Sequence, residues 1–451
     1  MQREDDHEFI GKIPCRIAGP EHLTTAAEVA TYKYLEKRTS IPVPSVLSWS
    51  SRDVGPVGAE FIVMEKAPGI QLFEEWGNMQ EIEKLELIQT LTQLEAQLSS
   101  LSFPAYGGLY LKEDANGFPH VNVDAENMFC IGPSPDRFFD TEPLTPPSAD
   151  KTIDRGPWKT VSELGISIAK QELSRLPKRN LEDRAILHRG TRQEQEDVLK
   201  MAISLMPALD SNRTLAKYSK PTLWHTDLHM GNIYISPEKR SQITSFIDLQ
   251  SVSVLPLFLQ ARWPVFLQPP RDFKRGLTQP ELPADIDTFD ENEKAAALQE
   301  LKQAKVAKAY EVSAFLENRI AHDAMTLPRV FRELFVRLEE TSKVGVVPLR
   351  ECLIEIFQSW SRLDFPGTCP YSFSDEEITA HAAQFAKYQE WSEVQQLAQE
   401  TLDTDAEGWI SPHLNFELKR KQNKDLLSMY VKSVAGQKSE EEARLMWPFP
   451  E

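Results

Sequence analysis

The chain has 451 residues, 41% hydrophobic and 26% charged. That is an ordinary globular mix and more chain than one packed core usually serves, so two lobes are expected. Its 50 basic and 68 acidic side chains leave a formal charge of −18, which disfavours nucleic acid or an anionic membrane surface as a broad partner while allowing a local basic pocket for one nucleotide.

Cys15, Cys130, Cys352 and Cys369 are far apart and lack zinc spacing, which excludes a disulfide scaffold and suits a reducing interior. The first residues are too acidic for a secretory signal or a mitochondrial presequence. The apolar stretch 251–270 is broken by Arg262 and by prolines, so no membrane span is expected. A soluble intracellular protein follows.

In chain order, residues 9–13 read as a short strand. Thr24 or Thr25 can cap a helix over 26–38, with Val29, Tyr32 and Leu35 at helical spacing. The prolines at 42 and 44 force an extended exit, and 61–64 is a buried-strand candidate ended by Ala67-Pro68-Gly69. The expected lobe boundary lies at residue 72, with an N-lobe of 1–72 and a C-lobe of 73–451. Leu87, Ile88, Leu91, Leu94, Leu98 and Leu101 mark a strong amphipathic helix. Residues 103–158 read as a loop-rich insertion, and the stretch from there to Asp210 as mostly helical. Later apolar stripes are Val312, Phe315, Leu316 and Ile320, then Leu349, Cys352, Leu353, Ile356 and Trp360. From about residue 437 the charged tail is expected to fray. The class is α+β, a small lobe joined to a large, mostly helical one.

The chemistry concentrates in 223–250. Strands at 233–235 and 243–247 flank a polar turn and form a hairpin. Folding it back brings Asp248 near Asn232 and Asp227. Mg²⁺ takes hard oxygen donors and keeps some water, so a carboxylate and an amide oxygen suit it. A further carboxylate can orient an attacking hydroxyl and accept its proton. Asp227 stands five residues before Asn232, the spacing of kinase catalytic loops. The plainer reading makes Asp227 and Asp248 turn or capping residues, as loop aspartates commonly are. A histidine–zinc site at His225 and His229 lacks a third nitrogen or sulfur ligand.

His225-Thr226-Asp227-Leu228-His229-Met230-Gly231-Asn232, with Ile247-Asp248-Leu249-Gln250, resembles the aminoglycoside phosphotransferase and choline-kinase-like family. That resemblance implies a protein-kinase-like fold and ATP with Mg²⁺ as cofactors. It implies Asp227 as catalytic base, His225 as support for the loop, and Asn232 and Asp248 as metal ligands. Upstream it implies Lys12 on the α- and β-phosphates, Glu28 as its charged partner, and a hinge at Met64, Glu65 and Ala67 whose backbone meets the adenine edge. Lys12 and Glu28 can equally be surface residues, and Met64 plain core. Only eleven residues precede Lys12, without a Gly-x-Gly pattern, so the expected N-lobe is truncated. Residues 132–139, 154–158 and 253–257 are similar to a fungal subgroup, that of the altered inheritance of mitochondria protein 9, which implies a mitochondrial location, otherwise a cytoplasmic one. Arg137 and Arg155 there can bind substrate or fix the insertion.

The resulting expectation is ATP-dependent transfer of a phosphoryl group to a hydroxyl of a small molecule, with the chain after Gln250 framing the acceptor. Residues 281–300 carry seven acidic side chains against one lysine, which suits a cationic acceptor or simply a solvated helix face. Two rivals stand beside it: a non-catalytic nucleotide-binding or mitochondrial assembly protein, and a two-metal phosphoesterase.

Overall fold

The computed structural model describes residues 8–15, 19–52, 57–115, 117–139, 153–176, 190–406, 408–410 and 414–450. Residues 1–7, 140–152 of the expected insertion and 177–189 of the expected helical stretch lie outside them. The chain is mixed α+β, with small antiparallel sheets and a large helical part. It divides into two units: Met1–Ser167 with Met206–Arg332 and Asp364–Pro366, and Ile168–Leu205 with Glu333–Leu363 and Gly367–Glu451. The expected boundary at 72 falls inside the first unit.

In the first unit, β1 (Phe9–Lys12), α1 (Leu23–Arg38), β2 (Val46–Ser50) and β3 (Phe61–Glu65) form a three-stranded sheet, order β1-β3-β2, with its helix. β3 alternates: Ile62 and Met64 point into the core, 1% and 6% exposed. The start of α1 differs from expectation. Neither threonine caps it; His22 stands at the N-cap position with φ 67° and makes no side-chain capping bond among the described residues, while the Thr24 hydroxyl donates to Pro20 O. Both threonines lie inside the helix on its buried side.

β4 (Ile70–Gln71) and α2 (Leu72–Glu75) lead to α3 (Glu81–Ser100), opened by a Gln80–Glu83 capping box. Leu87, Ile88, Leu91 and Leu98 are core, with Leu94 and Leu101 packed against it. The insertion holds more structure than its Pro and Gly content suggested. β5 (Gly108–Leu111), β6 (Val121–Asn122) and β7 (Phe129–Gly132) make a sheet of order β5-β7-β6. Short, fully buried strands lack alternation, so the period-two signal was missing. The Ser134 N–H donates to Arg155 O at 2.7 Å, and Phe139 meets Trp158 at 5.3 Å between ring centroids. The unusual stretches 132–139 and 154–158 thus pack on each other.

Helices α4 (Val161–Arg175), α5 (Arg192–Asp210) and α6 (Arg213–Ala216) precede β8 (Pro221–Leu223), β9 (Ile233–Ile235), β10 (Ile243–Phe246) and β11 (Val254–Pro256). β9 and β10 are the expected hairpin, Ile243 opposite Ile235 and Phe246 opposite Ile233. β4 extends that sheet, and β11 pairs with β8. α7 (Leu257–Gln260), α8 (Glu291–Glu317), α9 (Arg319–Met325) and α10 (Val330–Val344) follow. α8 corrects one expectation: Phe315 and Leu316 are exposed, 43% and 72%, with Val312 and Ile320 close behind. Its buried apolar face is Ala304, Ala307, Tyr310 and Ala314, and it packs against α3.

In the second unit, α11 (Val346–Gln358) buries Leu349, Cys352, Leu353 and Ile356, with Trp360 beyond it, as expected. α12 (Asp375–Leu402), α13 (Phe416–Ser433) and α14 (Glu440–Met446) share a core of Val394, Ala398, Leu427, Met446 and Trp447. The tail therefore does not fray: a Ser439–Glu442 capping box starts α14, and Trp447 Nε1 donates to Asn423 Oδ1 at 2.7 Å.

Candidate active site

The loop between β8 and β9 is held by its apolar members. Trp224 and Leu228 are buried, so the residues between and after them are forced outward, leaving Asp227 exposed. Hydrogen bonds set the rest. Asn232 Nδ2 donates to Asp227 O at 3.0 Å, and the Asn232 N–H donates to His229 O at 3.0 Å. The Ile247 N–H donates to Asn232 O at 3.1 Å, and His225 Nε2 reaches Ile247 O at 3.0 Å. These bonds tie the loop to the end of β10, where Asp248 follows. Burial lowers the His225 pKa, its Nδ1 being enclosed without a partner, so the ring is neutral and Nε2 carries the proton. His229 accepts the Gly231 N–H on Nδ1 at 3.0 Å, and a Cβ at Gly231 would stand 2.9 Å from the His229 ring. Both histidines scaffold the loop.

From the other side, Lys12 on β1 places Nζ 2.8 and 3.0 Å from the two carboxylate oxygens of Glu28, and 2.9 Å from Asp248 Oδ1. Glu28, on α1, is 2% exposed. Burial works against the Lys12 charge, but Glu28 and Asp248 outweigh it and raise its pKa. One ammonium therefore joins the N-terminal sheet, α1 and the end of the hairpin.

Asp248 has φ 61°, a left-handed backbone that costs a residue with a side chain. Its N–H donates to the Tyr32 hydroxyl at 3.0 Å. Tyr32 lies one turn after Glu28 on α1, so one helix face supplies both the partner of Lys12 and the anchor of Asp248. Gln71 Nε2, at the end of β4, donates to Gly231 O at 2.8 Å. Residues 68–71 are seated on the hairpin by the Thr244 hydroxyl, which donates to Pro68 O at 2.6 Å. Sequence reasoning missed Tyr32 and Gln71 as site residues. The spacing of Tyr32 from Glu28 was an available signal; Gln71 had none.

The structure thus brings Lys12, Glu28, Asp227, Asn232, Asp248 and His225 into one neighbourhood. The hinge residues lie along β3 and just after it. Met64 has its side chain in the core. The Glu65 N–H is taken by Ser45 O at 3.0 Å and the Lys66 N–H by Glu8 O at 3.2 Å. Among the described residues the Ala67 N–H has no partner.

Asp248 offers a carboxylate of which Lys12 engages Oδ1, and Asn232, its nitrogen committed to Asp227 O, presents Oδ1. These are hard oxygen donors of the kind that Mg²⁺ takes. Among the described residues no group of three or more His, Cys, Asp or Glu is placed to hold a metal ion. Behind the loop lies an apolar cavity of about 40 Å³ lined by Leu35, Leu91, Leu98, Trp224 and Phe246 among others. It belongs to the core rather than to a polar ligand.

A sequence model described as the phosphotransferase enzyme family matches residues 2–258. The whole chain is 29% identical to a subtelomeric hrmA-associated cluster protein of Aspergillus fumigatus, across 93% of that protein. It is 23% identical to the mitochondrial altered inheritance of mitochondria protein 9 of Candida glabrata, over 84% of this chain and 66% of that one. Among solved structures, the streptomycin–ATP ternary complex of APH(2″)-IIa aligns over 79% of this chain and 87% of that one, with TM-score 0.38 and 14% identity.

Proposed function

The chain belongs to the phosphotransferase enzyme family, and from that premise we propose that it transfers the γ-phosphoryl group of ATP, with Mg²⁺, to a hydroxyl of a small molecule. The observation that carries this reading is the Lys12 ammonium held between Glu28 and Asp248, with Asp227 and Asn232 on the adjoining loop. A surface lysine would not be gripped by a carboxylate that is 2% exposed.

In this reading Lys12 binds the α- and β-phosphates and Glu28 keeps its ammonium aimed. Asn232 and Asp248 hold Mg²⁺, which when bound neutralises charge on the phosphate oxygens. Asp227 orients the acceptor hydroxyl and takes its proton as the new O–P bond forms and the bond to the departing ADP oxygen breaks. His225 fixes the loop. Adenine rests against the hinge, where the Ala67 N–H, without a partner among the described residues, supplies a donor. The N-lobe is residues 1–72 and the C-lobe the remainder. A mitochondrial location rests on the name of the Candida glabrata relative. Among the described residues no helix is long and apolar enough to cross a membrane.

The test compares wild type and Asp227→Asn in ATP binding and ATP turnover. Turnover should fall about 10²- to 10⁴-fold while Mg·ATP affinity stays. Binding without turnover, indifferent to Asp227→Asn, would instead assign the chain to the non-catalytic nucleotide-binding proteins.

A further inference from the structure

Helix α1 carries Glu28, the partner of Lys12, and it is covered on more than one side. Every residue from Leu23 to Tyr32 is buried, whereas a surface helix covers a single stripe. Helical geometry puts Leu23, Ala27, Tyr34 and Arg38 on one side of α1 and Glu28 and Tyr32 on the other. The Glu28 and Tyr32 side meets Lys12 and Asp248. The opposite side meets the insertion.

The insertion grips that side along its length. Ahead of the helix, a Cβ on Gly19 would stand 3.0 Å from Pro135 O. In the middle, Leu23, Ala26 and Ala27 share a buried cluster with Tyr110 of β5 and Cys130 of β7. Tyr34 meets Phe129 edge to face, with ring centroids 5.0 Å apart. At the end, Arg38 Nη2 donates to Asp124 Oδ2 at 3.0 Å and Lys37 Nζ to Glu126 Oε2 at 2.8 Å. Those two ion pairs are exposed and contribute little, so the buried aromatic and aliphatic contacts carry the grip.

The insertion is itself bonded to the strands from which the catalytic loop springs. The Gly107 N–H donates to Val254 O at 2.9 Å and the Val254 N–H to Gly107 O at 2.8 Å. Val254 stands opposite Leu223 in the β8–β11 pair, and the loop bearing Asp227 leaves β8 at the next residue. The Tyr110 hydroxyl donates to Pro133 O at 2.7 Å, which closes β5 on the end of β7. One sheet thus runs from the back of the Glu28 helix to the base of the loop.

We propose that the insertion is the positioning device for Glu28: its sheet backs α1 and fixes the Lys12–Glu28 pair against Asp248, with Phe129, Tyr110 and Cys130 as positioning residues. The brace is built from this chain alone, so the helix is seated without a partner protein and without nucleotide. Its consequence for catalysis rests on the phosphotransferase reading, because a Lys12 that is not aimed gives up the phosphates.

The test uses the full chain and two measurements. Amide hydrogen exchange of the wild type should find α1 as slow as β3, with or without Mg·ATP. An α1 that exchanges about tenfold faster than β3 and slows when Mg·ATP is added overturns the inference, since nucleotide would then seat the helix. Brief acetylation with acetic anhydride, without nucleotide, reads Lys12 by peptide mass spectrometry, scaled to the exposed Lys239. Glu28 favours the charged form of Lys12, so Glu28→Gln should speed its acetylation about threefold or more. Phe129→Ala should speed it too, but add nothing on top of Glu28→Gln, because both changes loosen one pair. Phe129→Leu should restore most of the protection. A Phe129→Ala protein that melts cooperatively with Lys12 acetylated as in the wild type, or with an equal increase on top of Glu28→Gln, overturns the inference. If that variant does not fold, the wild-type exchange decides alone. A wild type with a slow α1 and no affinity for Mg·ATP leaves the brace standing and overturns the phosphotransferase reading instead.

Discussion

Tyr32→Phe deletes one oxygen and with it the 3.0 Å acceptor of the Asp248 N–H. The ring stays, in a position only 1% exposed, so no cavity opens and the hydrogen bond alone is tested. Asp248 itself is exposed, so water can replace the lost acceptor, which puts the cost near the low end for an orphaned donor, about 1 kcal/mol. In a unit of this size that lowers Tm by about 2–4 °C. The greater effect should fall on the site. The left-handed Asp248 backbone persists because its surroundings over-determine it. Once the anchor is gone the turn can relax and carry the carboxylate away from Lys12 and Asn232. If the same 1 kcal/mol is charged against metal-dependent binding, the Kd for Mg·ATP rises about fivefold. Calorimetric titration with ATP, once with Mg²⁺ and once with a chelator, separates the effects, because only the metal-dependent part should weaken. A variant whose Tm falls while its Mg²⁺-dependent affinity matches wild type would refute the coupling of Tyr32 to the site.

Gly69→Ala should cost about 1–3 kcal/mol, because Gly69 has φ 98° and a Cβ there would meet Ile235 O and, at 2.9 Å, the Thr244 hydroxyl. The melt should drop by several degrees, and an unchanged melt would show that this close approach is not obligatory. Glu95, 6% exposed with Tyr310 Oη 2.8 Å from Oε2, has its carboxyl pushed up to about 8 by burial, against the Tyr310 hydrogen bond. Between the ordinary carboxyl value near 4.3 and that value, the native state holds a proton that the unfolded chain has lost. Stability therefore falls as pH rises through this window, by at most about 1.4 kcal/mol per pH unit. Glu95→Gln keeps an acceptor for Tyr310 without the proton. It should match wild type near about pH 4.5 and exceed it by a few kcal/mol near about pH 8.5, and parallel stability curves would rule out a neutral Glu95.

The hairpin and its loop were legible because their residues are constrained twice. Ile233, Ile235, Ile243 and Phe246 carry the burial pattern of strands, and Asp227, Asn232 and Asp248 carry the chemistry, so position and type agree. Lys12 and Glu28 could be paired only through the family resemblance, since nothing local shows that a lysine sixteen residues away will reach a buried glutamate. The sheet over 108–132 was hidden for the opposite reason. Its strands β5 and β7 are wholly enclosed, and buried four-residue runs carry no periodicity. The stripe on α8 failed because helical spacing reports a face and does not say which side that face turns to. Alanines 304, 307 and 314 took the core side, leaving Phe315 and Leu316 outside.

Lys12, Glu28, Tyr32, Gln71, Asp227, Asn232 and Asp248 all lie within residues 2–258, the span matched by the phosphotransferase enzyme family. The nucleotide half of the proposed reaction therefore draws on the part of the sequence that the family model describes. That has a physical basis. A triphosphate with its metal presents the same charges wherever it binds, so the groups that meet it can stay unchanged. The acceptor differs from one enzyme to another, and so must the residues that seat it. Membership of the family thus bears on the phosphoryl donor, while the acceptor has to be read from this chain's own residues.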